Sequence, residues 1–173
     1  MSATIVVEDG TGKTDANSYI STTTGDAVLE EVYLIMGLSS APTLNDIDCI
    51  AGTRYIDVVF GSRWMGIRSN EDQALDWPRT YVPDGQEYYF DSDEIPSDLE
   101  KACALYAYYA QTDGSNMIPN QQDEGAVKSE TLKAGPISKS VEYTGGNSAT
   151  KMYRLSEGFL SKLLKPGDIV GRI

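Results

Sequence analysis

IPSDLEKACALYAYYA, residues 95–110, decides the fold class. Pro96 cannot continue a preceding helix or strand, and Ser97 followed three residues later by Glu100 has the form of a capping box. Leu99, Ala102, Cys103, Tyr106 and Ala110 then recur at helical spacing, which makes one face of a helix apolar. Toward the N-terminus a second such stretch runs from about Leu44 to Phe60. Its expected core face is Ile47, Ile50, Ala51, Tyr55, Val58 and Val59. A third helix is expected over Thr22–Met36, capped by Ser21, stopped by Gly37 and followed by Pro42. Its apolar positions Ala27, Val28, Leu34 and Ile35 lie roughly on one side. These three helices make the protein mainly α, a small helical bundle.

Long loops join the helices. Gly61–Glu94 contains both tryptophans, Pro78, Pro83 and the cluster Tyr88-Tyr89-Phe90. A connection of that length has to be pinned by its aromatics or serve a function. From Thr112 to Gly125 the composition is polar and reads as an exposed linker. Ala126–Lys133 and Ile137–Tyr143 flank Ala134-Gly135-Pro136, the pattern of a small β-hairpin. A short helix over Glu157–Leu164, capped by Ser156, is expected before Pro166-Gly167, and residues 168–173 form an extended C-terminal arm.

Charge divides the chain in the same way. The whole carries 14 basic and 26 acidic residues, a net of −12. Residues 1–125 hold six basic and 22 acidic residues, a net of −16; residues 126–173 hold eight and four, a net of +4. The expected organisation is thus an acidic helical body, 1–125, and a basic part, 126–173, made of hairpin, short helix and tail. An acidic body repels the phosphate backbone, whose binding depends on cations displacing counterions. No apolar run is long enough to cross a bilayer, and no signal peptide is expected in MSATIVVEDG.

There is no histidine, so the usual general base and the commonest metal ligand are missing. Cys49 and Cys103 are expected to be buried free thiols, since two cysteines alone cannot close a zinc site. Neither a catalytic residue, a cofactor nor a metal is assigned. Gly10-Thr11-Gly12-Lys13-Thr14 hints at a phosphate loop, but Val7 occupies the position of its first glycine and no helix follows directly. A surface turn is the better reading. Asp91, Asp93 and Glu94, like Asp46 and Asp48, lack EF-hand spacing and read as solvated or helix-starting charges. Tyr88, Tyr89, Phe90, Tyr106, Tyr108 and Tyr109 could stack on bases, but acidic neighbours surround them and only Lys101 opposes these.

Five motifs in order resemble a family of phage proteins. Glu8-Asp9-Gly10 leading to Ala16-Asn17-Ser18-Tyr19-Ile20-Ser21 is similar to the family's opening. Arg54-Tyr55-Ile56-Asp57 is similar to its central segment, and Gln73-Ala74-Leu75-Asp76-Trp77-Pro78-Arg79 to the next. Ile95-Pro96 with Leu99 and Ala102, and Lys133-Ala134-Gly135-Pro136-Ile137 near Val141-Glu142-Tyr143, complete the series. They cover roughly residues 7–143, and the last 30 residues match only loosely. The family is often labelled DnaT-like single-stranded-DNA-binding, and its members also resemble helical head–tail connector adaptors (head completion proteins) of tailed bacteriophages.

The resemblance implies Asn17, Tyr19, Arg54, Tyr55, Asp57, Trp77, Pro78, Arg79 and Pro96 as structural residues. It also implies a ring of twelve copies, a dodecamer, beneath a portal protein. The negative body favours the neck role, because an acidic lumen does not hold passing DNA. The expectation is a non-enzymatic adaptor in the virion neck, made in the host cytoplasm, with the portal, a downstream tail or stopper protein and its own copies as partners. DNA would only pass through, and no membrane would be involved. Lys165, Asp168, Ile169, Val170, Arg172 and Ile173 are the expected portal- or neighbour-binding residues. A single-strand-binding replication accessory protein is the alternative, and an acidic inhibitor or chaperone-like protein a third.

Overall fold

The computed structural model describes residues 4–35, 39–114, 130–134, 137–141 and 154–166. Residues 1–112 and 153–173 make one compact unit, and 113–152 make another. The protein is mainly helical, as expected. The first unit contains α1 (Thr22–Ile35), α2 (Asp46–Phe60), α3 (Ser97–Asp113) and the short α4 (Arg154–Leu160). It also holds a two-residue antiparallel ladder, β1 (Ile67–Arg68) with β2 (Arg79–Thr80). The other unit carries the expected hairpin, β3 (Glu130–Ala134) paired antiparallel with β4 (Ile137–Val141), in the register Glu130↔Val141 to Ala134↔Ile137.

The central helix is α3. Leu99, Ala102, Cys103 and Tyr106 are fully buried, and so are Ala104 and Ala107, so core surrounds the helix on more than the expected stripe. Its start differs from the expectation. Ser97 is exposed and already helical, and the Pro96 carbonyl accepts the N–H groups of Leu99 (2.9 Å) and Glu100 (3.1 Å). No side-chain capping box forms there. The reciprocal contact sits instead before α2, where the Asp48 carboxylate accepts the Asn45 N–H at 2.9 Å. Ser21 does cap α1, its Oγ accepting the Thr24 N–H at 3.1 Å.

The inner faces of α1 and α2 are not the expected ones. In α1 the buried residues are Gly25 and Leu29, whereas Leu34 and Ile35 are 79% and 77% exposed. In α2 they are Cys49, Gly52, Thr53, Ile56 and Phe60, and Ile47 and Val58 point to solvent. The cause is close approach of backbones. A Cβ on Gly52 would lie 2.6 Å from the Ala107 nitrogen and 2.9 Å from the Cys103 carbonyl oxygen. The two helices meet where α2 has no side chain, and that contact rotates the aliphatic positions outward. Gly52→Ala should therefore destabilise by about 1–3 kcal/mol through overpacking, read as a lower midpoint in chemical denaturation. An unchanged midpoint would mean that the helices separate there at no cost.

Loop 61–94 is pinned by its aromatics, as expected. Trp64 and Trp77 are buried and meet edge to face, with ring centroids 5.8 Å apart. The C-terminal helix begins earlier than expected, so Ser156 is a buried residue inside α4 rather than its cap. After α4 the chain runs antiparallel to residues 63–65: Met65 donates to the Leu163 carbonyl (3.0 Å), and Lys165 donates to the Arg63 carbonyl (2.9 Å). Both cysteines are buried free thiols.

Candidate functional site

Most of the motif residues converge on one buried knot. Tyr19 enters it from the N-terminal segment, its backbone N–H held by Thr53 Oγ1 at 3.1 Å. Its hydroxyl donates to Asp57 Oδ1 of α2 at 2.5 Å and accepts the N–H groups of Asp76 (3.1 Å) and Trp77 (3.3 Å). One hydroxyl thus ties three chain segments together. The Trp77–Pro78 peptide is cis, and Phe90 packs edge-on against the indole at 6.5 Å. Arg79 closes the knot by donating to three carbonyls, those of Met65 (2.8 Å), Asp76 (3.0 Å) and Gly66 (2.9 Å). Its rigid fork of donors suits this fixed arrangement.

The electrostatics follow from burial. Desolvation pushes the Asp57 carboxyl up to about 7, opposed by the Tyr19 hydrogen bond and helped by the nearby Asp76. Burial raises Asp76 as well, and it raises the Tyr19 hydroxyl well above its ordinary value, with Asp57 adding to the effect. Burial lowers Arg79, which the Asp76 charge partly offsets. A raised carboxyl beside a tyrosine could suggest acid–base chemistry. Tyr19, Trp77 and Arg79 are all buried, however, and the hydrogen bonds of the Tyr19 hydroxyl join α2 to loop 61–94.

The other motif residues are placed separately. The Asn17 side chain accepts the Val6 N–H (2.8 Å) and donates to the Thr4 carbonyl (3.0 Å), which fixes the N-terminal segment. Tyr55 stacks on Tyr106 with centroids 4.7 Å apart, and Pro96 is buried at the start of α3. Arg54 is different: it is exposed and has no hydrogen bond or ion pair among the described residues.

The glycine loop 10–14 wraps an anion that the chain itself supplies. Glu8, 2% exposed, accepts the N–H groups of Gly10 (3.0 Å), Gly12 (2.8 Å) and Lys13 (2.8 Å). Lys13 is engaged too, donating to the Val7 carbonyl (2.8 Å) and pairing with Asp9 (3.0 Å). The donors a phosphate would need are occupied by a carboxylate. Glu8 and Thr53 are important residues that periodicity does not single out, because polar side chains register there as surface.

Two surface features remain. An open cleft of about 420 Å³ is lined by Glu8, Asp9, Asp91, Asp93, Glu94, Ile95 and Glu100, and no metal-binding cluster exists among the described residues. Beside it, residues 82–90 form a narrow loop in which Phe90 donates to the Val82 carbonyl (3.0 Å) and Asp84 to that of Tyr88 (2.9 Å). Tyr88 and Tyr89 are 73% and 66% exposed on it, and Tyr81, just before it, is 72% exposed. Tyr106, by contrast, is a core residue. Of the expected partner-binding residues, Lys165 lies at the end of the described chain, its ammonium donating to the Ser62 carbonyl (3.1 Å). Asp168, Ile169, Val170, Arg172 and Ile173 lie outside the described residues.

A family model described as "Putative DnaT-like ssDNA binding protein" matches residues 3–172. No curated protein and no solved structure matches the chain.

Proposed function

For a chain that belongs to this DnaT-like family, we propose a structural role: it is an adaptor subunit of a phage head–tail connector, ringed with its own copies below a portal. The observation that carries the reading is the charge. Residues 1–125 have a net of −16, and the exposed tyrosines 81, 88 and 89 stand among Asp84, Glu87 and Asp91. A strand binder needs cations beside its stacking rings to hold the backbone. A wall around passing DNA needs the opposite sign. Exposed Leu34 and Ile35 at the end of α1 suit heterologous contact between copies, which closes a ring when the rotation allows.

The second reading, single-strand binding, is favoured by the family description and by the three exposed tyrosines. Fluorescence anisotropy with a labelled oligonucleotide separates the two. The adaptor reading expects no saturable binding at physiological salt, and mass photometry with added portal expects a discrete ring-sized species. Low-micromolar binding that weakens with salt would replace the adaptor reading with the strand-binding one.

A further inference from the structure

Two helix faces turned away from the core share one spacing in reverse. On α2, Ala51, Arg54 and Val58 follow at steps of three and four residues; on α1, Ala27, Glu31 and Leu34 follow at four and three. At about 100° per residue each trio falls within one narrow sector of its helix. That sector lies opposite the buried side, which holds Gly25 and Leu29 in α1 and Cys49, Gly52 and Ile56 in α2. Val58 and Leu34 are each 79% exposed; Ala27, Glu31 and Arg54 are exposed and Ala51 is half-buried. Arg54 is the one cation of α2, α1 has none, and neither Arg54 nor Glu31 has an ion pair among the described residues. We propose that these two faces bind each other between copies of this chain. In that contact α2 of one copy packs antiparallel on α1 of the next, and Arg54 pairs with Glu31.

Charge selects the partner. Each face sets an unpaired ion among aliphatic side chains, a cation on α2 and an anion on α1, so either face offers what the other lacks. Spacing selects the direction. At 1.5 Å per residue, Val58 and Ala27 each stand about 6 Å to one side of the charged pair, and Ala51 and Leu34 each about 4.5 Å to the other. A large side chain then meets a small one at both levels, the fit that ridges packed into grooves require. Laid parallel, Val58 would crowd Leu34 and leave Ala51 facing Ala27. Ile47 and Ile35, 57% and 77% exposed, continue the apolar contact past Ala51. Both faces point outward, so one copy cannot close the contact on itself, and the contact is head to tail. The inference deepens the adaptor reading and rests on its ring of copies.

Sedimentation of the full chain tests it. The protein should associate reversibly at high micromolar concentration. Arg54→Glu and Glu31→Lys each set like charges against each other across the contact and should each weaken association at least about tenfold. Mixed in equal amounts, the two variants should recover it, because the new carboxylate of one meets the new ammonium of the other and the native pair forms at the next contact. Both sites are exposed, so melting temperatures should stay those of the parent. Val58→Asp and Leu34→Asp give a second readout, weakening association singly and in mixture alike. Ala27→Cys and Val58→Cys variants, mixed and oxidised, should cross-link several-fold faster than Ala27→Cys with Ile47→Cys; the native thiols are buried. A monomer at every concentration, an Arg54→Glu protein that associates like the parent, a mixture no stronger than its components, or the reverse cross-linking preference would overturn the proposal. If Arg54→Glu still forms a discrete species with portal as readily as the parent does, this contact falls and the adaptor reading stands. Recovery in the mixture without any response to portal would remove that reading and leave the contact in place.

Discussion

Trp77→Ala should remove about 3–5 kcal/mol of stability, the range for emptying a buried aromatic site. The indole has no exposed surface and touches Trp64 and Phe90 edge-on, at 5.8 and 6.5 Å. Removing it leaves a void between loop 61–94 and the helices. It also loosens the segment whose N–H groups, at Asp76 and Trp77, bind the Tyr19 hydroxyl. Domains of this size are stable by only about 5–15 kcal/mol, so about a fifth of the total or more would go. Chemical denaturation measures it, with Tyr88→Ala as the comparison, because that ring is 73% exposed and should change stability by no more than about 0.5 kcal/mol. Equal midpoints for the two variants would show that the loop is not anchored by its indole.

The helices were legible in the sequence to differing degrees, and the differences have a physical cause. For α3 the apolar positions are dense enough that almost any face is buried, so the expected stripe survives. In α2 aliphatic residues occupy both sides. Hydrophobicity alone selects Ile47 and Val58, whereas the contact with α3 is made through Gly52, Thr53 and Cys49, which are small or polar. Close backbone approach rewards a missing side chain, and periodicity cannot see that. The same limit applies to Ser97, whose spacing from Glu100 fits a capping box although the first helical hydrogen bonds go to the Pro96 carbonyl.

The knot was half legible. Motif resemblance selected Tyr19, Asp57, Trp77 and Arg79, but not that they meet. Tyr19 lies 38 residues from Asp57 and 57 from Asp76, distances over which a single sequence carries no pairing signal. The turn at residues 10–14 was recognisable as something other than a phosphate loop. That Glu8 fills it was not, because an isolated acidic residue next to a turn ordinarily faces solvent.

The knot also makes stability depend on pH, in the direction opposite to an ordinary salt-bridged carboxylate. Asp57 titrates near 7 when folded and near 3.8 when unfolded, because burial disfavours its charged form. Between those values the folded state binds the extra proton, so its stability falls as pH rises from about 4 to about 7 and is flat above. Three pH units at about 1.4 kcal/mol each set an order of magnitude of roughly 4 kcal/mol for this one group. Asp76, Glu100 and Glu157 are raised too and slope the same way, while Asp9, lowered to about 2, slopes the other way at more acid pH. Subtracting two profiles isolates Asp57. The stability of the protein and of Asp57→Asn, measured by denaturation from pH 4 to pH 8, should diverge steadily up to neutrality. The variant keeps an oxygen to accept the Tyr19 hydroxyl at 2.5 Å but has no charge to desolvate, so its curve should be the flatter one. Parallel curves would mean that Asp57 ionises as freely inside the fold as outside it, and that the knot is open to water.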